Sequence, residues 1–464
     1  MEKTSAWSEY TPEATQELVS LNDKYKAFLD AGKTERECVR YSVEAAEKMG
    51  YENLQDYIDS GKKPEKGAKL YAVHMNKILA LFRLGEEPVS AGMNILGAHI
   101  DSPRLDVKQN PLYETEDMAY LDTHYYGGIK KYQWVALPMA IHGVVAKKDG
   151  TLVEIIIGES EDDPVFVFTD LLIHLAQNQL KKDGATVVEG EKLDLLIGNR
   201  PIDKTKLKKK EKATVKANVL ALLKGMYGIE EEDFLSAELE IVPAGKARDC
   251  GIDRSMIMAY GQDDRVCAYT SLQAMLDVDE SKKTSCCLLV DKEEIGSVGA
   301  TGMHSKFFEN TVAELIALTE GESDLKTRRA MQNSRMLSSD VSAAYDPLYA
   351  DVFEKKSAAL MSKGISFNKF TGARGKSGSN DANAEYLGRL RRVMDDNKVK
   401  FQITELGKVD AGGGGTIAYI MGNYGMEVID SGVAVLNMHA PFEISSKADV
   451  YEAYKCYKAF LTDM

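Results

Sequence analysis

The stretch CCLLVDKEEIGSVGATG, residues 286–302, is the most informative part of this sequence for both its fold and its chemistry. Its first five residues are apolar, which predicts a buried strand. Glu293 and Glu294 follow where that strand ends. Successive residues of an extended chain point to opposite sides, and a buried carboxylate is costly without a cation beside it. One glutamate could therefore bind a cation while the other moves protons; the alternative is a solvated turn.

The sequence on both sides of this stretch predicts alternating strands and helices, and one long segment with a different hydrophobic pattern interrupts that alternation. Residues 1–104 and 251–464 have the pattern of an α/β fold, in which helices flank a mixed sheet. Residues 105–250 consist mostly of short alternating segments with charged loops between them, plus a helical piece near DLLIHLAQNQL (170–180). We therefore predict a discontinuous α/β domain, 1–104 and 251–464, interrupted by a β-rich insert, 105–250.

Local signals predict several elements of the α/β part. TPE at 11–13 is typical of a helix start with proline at the first helical position. LYAVHMNKILALFRLG (70–85) predicts a hairpin, and MNILGAHI (93–100) predicts a buried strand. The sequence ADVYEAYKCYKAFL (448–461) predicts a last helix, capped by one of the two preceding serines.

The composition of the chain excludes several classes of protein. At 464 residues the chain is long enough for two domains, and its net charge of −14 argues against nucleic-acid binding. The six cysteines show no CxxC spacing and no disulfide framework, which is typical of a reducing compartment. We find no apolar signal core and no apolar run of membrane-spanning length, so we expect a cytoplasmic protein that does not bind membranes. The lysine run DKTKLKKKEK (203–212) is expected to be a solvated loop.

Four more polar residues lie near the ends of predicted α/β elements. They are His99 in GAHIDSP, Asp263 in GQDDRV, Asp340 in SSDVSAA and His439 in NMHAP. Taken singly, each has an ordinary alternative as a core histidine, a helix cap or a turn. Side chains at the carboxyl ends of strands would share the crevice at that edge of the sheet. Asp101, two residues after His99, would lie on the same face and could orient the imidazole.

These residues and Glu294 together make a set of metal donors. Two imidazoles with three carboxylates suit zinc, with one carboxylate bridging two ions roughly 3.5–4 Å apart. Cobalt or manganese could occupy the same site. Glu293 is then available as a general base for water.

The ordered motifs GAHIDSP, GQDDR, DKEEIGS, SSDVSAAYDP and NMHAP resemble the aspartyl aminopeptidase family of co-catalytic zinc exopeptidases. The resemblance covers nearly the whole chain. It implies a zinc-exopeptidase-like sheet, two zinc ions per subunit, and a β-rich insert that mediates dimerisation. It also implies a homo-oligomer, a dodecamer built from dimers.

The resemblance also implies a role for each motif residue. His99 and Glu294 would hold one zinc ion, Asp340 and His439 the other, and Asp263 would bridge them. Glu293 would act as base and acid, with Asp101 orienting His99. Asp264, next to the bridging position, has no role in this scheme.

Two residues are candidates for contacting the substrate. His174 resembles a family histidine that reaches into a neighbouring subunit's active site, although a second family histidine is replaced here by Asp170. The alternative for His174 is a partly buried helix residue. Lys376, with Arg374 in the loop GARGKSGSND (372–381), could pair with an acidic side chain; the alternative is a solvated basic loop.

The glycines of DAGGGGTI (410–417) could be mistaken for a phosphate-binding loop. The GK[ST] ending and the spacing of such loops are missing. The glycines could instead bring backbone N–H groups close to a substrate.

We therefore expect a metal-dependent aminopeptidase that releases N-terminal residues, chiefly acidic ones, from peptides. A related dizinc carboxypeptidase or N-acyl amino acid deacylase could use the same ligands. A third alternative is a non-catalytic assembly or cargo protein that retains the scaffold.

Overall fold

The computed structural model describes residues 4–206, 212–372, 374–410 and 413–464. The described residues form two compact units. The first consists of those within Met1–Asp101, Ala247–Met438 and Glu443–Met464, and the second of those within Ser102–Lys246 and His439–Phe442. Part of the lysine run at 203–212 and part of the glycine stretch at 410–417 lie outside the described residues.

Ten α-helices and 21 β-strands form within the described residues. The α-helices are α1 Pro12–Ala31, α2 Glu35–Lys48, α3 Leu54–Ser60, α4 Val215–Tyr227, α5 Gln262–Asp277, α6 Phe307–Glu320, α7 Asp324–Asn333, α8 Ala384–Asp396, α9 Ala418–Gly422 and α10 Lys447–Asp463. The strands are β1 Glu52–Asn53, β2 Lys69–His74, β3 Ile78–Arg83, β4 Met93–His99, β5 Arg104–Thr115, β6 Met118–Tyr126, β7 Met139–Ala146, β8 Leu152–Ile157, β9 Val167–Phe168, β10 Leu195–Gly198, β11 Ala237–Pro243, β12 Arg248–Cys250, β13 Met256–Ala259, β14 Thr284–Val290, β15 Arg335–Ser339, β16 Ser342–Ala343, β17 Ile365–Asn368, β18 Phe401–Thr404, β19 Glu427–Gly432, β20 Ala434–Leu436 and β21 Glu443–Ser446.

A nine-stranded mixed sheet organises the first unit, in the order β1-β2-β3-β14-β4-β15-β19-β17-β18. Its centre, β14-β4-β15-β19, is parallel, whereas β3 and β17 run antiparallel to their neighbours β14 and β19. A five-stranded sheet, β12-β13-β21-β20-β16, belongs to the same unit. The predicted α/β class with a mixed sheet flanked by helices is confirmed.

Each face of the large sheet is covered by its own apolar core. Alternate residues of the central strands enter different cores: Leu96 and Leu289 pack with α1, α2, α5, α8 and α10, while Ile95 and Leu288 pack with α3, α6, α7 and α9. Because both faces are covered, the central parallel strands are apolar on both sides. This explains why CCLLV shows no polar alternation.

The second unit contains a seven-stranded sheet, in the order β8-β7-β11-β5-β6-β10-β9, with α4. All of its strand pairs are antiparallel. The helix predicted near 170–180 is wrong, because only the 3₁₀ turns Ile173–Leu175 and Gln179–Lys181 form there. A short helix needs an apolar face packed against the protein, and the side chains of Leu172, Ile173 and Leu175 are each more than half exposed.

The local predictions for the first unit are confirmed except for the serine cap of the last helix, since the Ser446 side chain makes no capping hydrogen bond and lies 2.9 Å from the Ser362 hydroxyl. Thr11 caps α1, with Pro12 at its first position, and Ser446 is the residue that precedes α10. The hairpin predicted at 70–85 consists of β2 and β3. All six cysteines are free. None of the helices in the described part of the chain combines the length and the apolar character that a membrane span requires.

Candidate metal centre

The parallel centre of the large sheet brings several polar residues to one edge. His99 is the last residue of β4 and pairs with Val290, the last residue of β14. Asp340 comes directly after β15, the other neighbour of β4. Since parallel strands end at the same edge of a sheet, side chains at these positions meet in the crevice outside the strand ends.

Three of the expected ligands lie together at this edge. His99 Nε2 is 3.2 Å from Asp263 Oδ1 and 3.8 Å from Asp340 Oδ1. One donor atom from each of the three lies within 4.8 Å of the others, and an Asp263 oxygen is within 4.8 Å of a Glu294 oxygen. The resemblance paired His99 with Glu294, whereas the structure groups His99 with Asp263 and Asp340. Asp263 is common to both groups, as a bridging ligand would be.

Asp263 is positioned by a buried residue that sequence reasoning missed. It lies at the start of α5, after Gly261 in the left-handed conformation. Its backbone N–H donates to Glu443 Oε2 at 2.9 Å, and Glu443 is 1 % exposed. One feature of the sequence could have indicated this role: Glu443 begins the short strand EISS, and a charged residue in a buried strand is unusual unless it has a partner.

Asp101 connects the two glutamates, which donate to its carboxylate, to His99, which contacts its backbone carbonyl. After β14, Lys292 adopts φ 70°, and Glu293–Ile295 form a 3₁₀ turn. The backbone N–H groups of Glu293 and Glu294 donate to Asp101 Oδ1 and Oδ2, at 3.1 and 3.2 Å. His99 Nδ1 lies 3.0 Å from the backbone carbonyl oxygen of Asp101, closer than the 3.4 Å to its carboxylate. A proton on Nδ1 leaves the lone pair on Nε2, which faces the other ligands.

The electrostatics of this cluster favour a bound cation. Burial and then the negative charge of Glu293 raise the pKa of Asp340 well above its usual value. Burial alone would lower the pKa of His99, but nearby carboxylates, above all Asp101 and Asp263, raise it. Carboxylates that repel one another in a buried site are relieved by a divalent cation. The donors present, an imidazole and carboxylates, fit zinc.

The position of Asp340 depends on a glycine in the neighbouring strand. A Cβ atom on Gly432, at the end of β19, would lie 1.9 Å from the carbonyl oxygen of Asp340. The Asp340 N–H also donates to the carbonyl of Ser431 at 3.2 Å. Only glycine allows this close approach of the two backbones.

The other three expected site residues are His439, His174 and Lys376, and each has a defined environment in the unit to which it belongs. In the second unit, His439 has φ 65°, and its Nδ1 lies 2.7 Å from the carbonyl oxygen of Gly128. His174 is exposed in the 3₁₀ turn Ile173–Leu175, so it is not a partly buried helix residue. In the first unit, Lys376 Nζ lies 2.9 Å from Asp381 Oδ2 and 3.9 Å from the centre of the Phe370 ring.

Comparisons with known proteins identify the family of this chain. The sequence model of the aminopeptidase I zinc metalloprotease family (M18) matches residues 28–461. A probable M18 family aminopeptidase 1 from Clostridium acetobutylicum is 58% identical over 462 residues, covering 100% of this chain and 98% of that protein.

Solved structures extend the comparison to the fold. The crystal structure of aminopeptidase I from C. acetobutylicum superimposes with a TM-score of 0.93 at 56% identity. An M18 family aminopeptidase from Thermotoga maritima gives a TM-score of 0.94 at 42% identity. Both comparisons cover 100% of each chain. The chain therefore belongs to the M18 family of aminopeptidases, which are zinc metalloproteases.

Proposed function

We propose that this chain is a dinuclear zinc aminopeptidase that releases acidic N-terminal residues from peptides. His99, Asp263 and Asp340 would hold one ion, and Glu294 would share Asp263 at the other, with His439 as the further ligand that the sequence resemblance implies. The observation that carries the proposal is the convergence of the first three side chains beside the paired glutamates. The assignment of His439 rests on the sequence resemblance and on its tautomer, since the contact of Nδ1 with Gly128 leaves Nε2 as the ring nitrogen that could bind metal.

Glu293 is the proposed base. Its Oε2 lies 4.0 Å from His99 Nε2, so it faces the same space as the ligands. Zinc bound here would polarise the scissile carbonyl and lower the pKa of water toward neutrality. Glu293 would take a proton from the attacking water and deliver it to the leaving amine. Asp101 fixes the backbone that carries Glu293, so the carboxylate stays in reach of that water.

Lys376 is the proposed partner of an acidic substrate side chain. A cavity of 140 Å³ is lined by Lys376, Arg374 and Lys408, with Glu405 as its acidic residue. Lys376 shares Asp381 with Lys369, so the two lysines retain one uncompensated positive charge between them. This excess supports recognition of a carboxylate.

A homo-oligomer, with a dodecamer built from dimers, is the proposed assembly. Mature aminopeptidase Ape1 of S. cerevisiae, 22% identical with a TM-score of 0.75, has been solved as a dodecamer. Leu172, Ile173 and Leu175 flank His174 in the second unit and are largely exposed, and a second copy of the chain would cover such a segment. His174 would then reach a neighbouring subunit's substrate. A cytoplasmic location is proposed from the six free cysteines.

A release assay tests the function. Peptides beginning with Asp, Glu, Leu or Lys, and the same peptides with acetylated N-termini, are incubated with the protein, with and without a chelator. We expect release from free N-termini, fastest for Asp and Glu, loss of release with the chelator, and recovery with zinc. Turnover of the acetylated peptides alone would favour a deacylase. Release of C-terminal residues would favour a carboxypeptidase. No turnover by fully zinc-loaded protein would favour a non-catalytic assembly protein.

A further inference from the structure

Asp430 is a buried carboxyl group for which the proposed mechanism has no role. It lies in β19, is 1 % exposed, and accepts a hydrogen bond from the hydroxyl of Thr416 on Oδ1. The hydroxyl of Ser338, two residues before Asp340, lies 3.5 Å from the same oxygen. Oδ2 has no hydrogen-bond partner among the described residues. An acid in such a position costs stability, so a functional reason is expected.

Thr416 is the last residue of the glycine segment, defined here as residues 413–416. Its neighbour Ile417 packs at β4, where Ile417 Cδ1 lies 3.4 Å from the position of a Cβ on Gly97, two residues before His99. The N–H of Gly414 donates to the carbonyl of Thr371 at 3.1 Å, which ties the segment to the loop that contains Lys376. The glycine segment is therefore attached to the sheet next to the strand that carries His99.

The glycine segment also leaves room for a ligand. Gly414 and Gly415 are exposed, and among the described residues no atom apart from those of the chain neighbours lies within 4 Å of a Cβ position on either glycine. Glycine lets a ligand approach the backbone closely, but a glycine backbone also loses the most entropy when it is ordered. A side chain that orders the segment in advance would therefore strengthen binding.

We propose that Asp430 is a positioning residue: through Thr416 it fixes the glycine segment so that backbone N–H groups of the segment, other than that of Gly414, donate to a carbonyl oxygen of the peptide substrate. This inference rests on the proposed aminopeptidase function. The inference assigns substrate binding to the glycine segment. It predicts that the Asp430–Thr416 hydrogen bond strengthens the binding of the substrate. The ions and Glu293 are not part of this contact.

The test compares Thr416→Val, which removes the hydroxyl at nearly constant shape, with Thr416→Ser, which keeps it. Thr311→Val is the matched control, because its hydroxyl bonds a carbonyl of its own helix α6. We expect Thr416→Val to raise KM about 3- to 10-fold, because it removes the hydrogen bond to Asp430 and the longer one, 3.3 Å, that the hydroxyl accepts from the Ala418 N–H. Its kcat and zinc content should match the wild type, and Thr416→Ser and Thr311→Val should retain the wild-type KM. Adding Asp430→Asn to Thr416→Val should raise KM no further.

Direct binding separates this inference from the proposed function. In a Glu293→Gln background, the Kd of an Asp-Ala dipeptide should rise for Thr416→Val by the same factor as KM. An unchanged Kd and KM, or an equal loss with Thr416→Ser, would overturn the positioning role. A fall in kcat together with zinc loss would overturn it as well. If the wild-type protein shows no zinc-dependent release of N-terminal residues, the proposed function is wrong. If the wild type is active and Thr416→Val has the same kinetics, only the positioning role of Asp430 is wrong.

Discussion

Asp101 holds Glu293 by its backbone: the Glu293 N–H donates to Asp101 Oδ1 at 3.1 Å, across 192 positions of sequence. The second oxygen of the same carboxylate accepts from Glu294 at 3.2 Å. A single side chain at the end of one strand therefore fixes the turn that follows another. The proposed base and a proposed ligand keep their relative positions because they share this anchor.

Asp101→Asn removes one of the two acceptors while the shape is kept. An amide can accept only one of the two backbone hydrogen bonds, so the glutamate turn should loosen. We expect kcat/KM to fall about 10- to 100-fold, the usual cost of losing an outer partner of a metal site. Steady-state kinetics with zinc analysis checks this. Asp59→Asn, on the surface of α3, should behave as wild type, and equal kinetics for the two variants would show that the anchor is dispensable.

Glu293→Gln tests the base. Glutamine keeps the size of the side chain but cannot take a proton from water. We expect kcat to fall about 10²- to 10⁴-fold, the range for a lost general base. Zinc content should stay normal, because Glu293 is not in the proposed ligand set. Glu314→Gln, on the exposed side of α6, is the control, and near-normal turnover by Glu293→Gln would remove Glu293 from the mechanism.

Gly432→Ala tests the close approach of β19 to Asp340. The added methyl would lie 1.9 Å from the Asp340 carbonyl oxygen, so one backbone has to move. We expect a loss of about 2–3 kcal/mol in the free energy of unfolding, as for other overpacked sites. Zinc affinity should fall with it. Urea denaturation and zinc titration measure both effects.

Gly388→Ala is the matched control for that variant. Gly388 lies inside α8, and no atom of the described residues outside its own stretch of helix lies within 4 Å of a Cβ position. Alanine there should stabilise the protein by about 0.5–1 kcal/mol, because glycine is unfavourable inside a helix. Similar destabilisation by both variants would mean that contact with Asp340 is not the cause.

The ion pairs of Asp249 with two lysines should make the stability of the protein depend on pH. Hydrogen bonds from Lys26 in α1 and then Lys447 in α10 lower the pKa of Asp249 to about 2. A lowered folded-state pKa gives stability that is present above the unfolded value, about 3.9, and is lost as pH falls toward 2. The side chain is 20% exposed, so we expect about 1 kcal/mol after solvent screening.

Asp249→Asn should therefore lower the free energy of unfolding at pH 7 and have a smaller effect at pH 3. Urea denaturation at the two pH values measures the difference. Asp253→Asn is a control that removes a charge four residues away while leaving both lysine contacts. An equal loss at pH 3 and pH 7 would contradict the ion-pair explanation.

Local sequence signals were sufficient for most elements of the first unit. The cap at Thr11, the hairpin of β2 and β3, and the apolar strands β4 and β14 depend on residues close together in sequence. The segment 170–180 shows the limit of such signals. Its composition favours a helix, but a short helix forms only when its apolar face is packed, which sequence alone does not reveal.

By itself, the sequence determined which residues stand at the ends of buried elements, because apolar runs and their polar endings are local properties. Only the tertiary structure decided which of these residues meet. The order β14-β4-β15 sets His99 beside Asp340 and lets Asp101 anchor the glutamate turn, and the start of α5 brings Asp263 to His99. The five-stranded sheet supplies Glu443, in β21, behind Asp263, and β19 supplies Gly432 against Asp340. Strand order and close backbone approach are non-local, since they depend on how distant segments pack on both faces of one sheet.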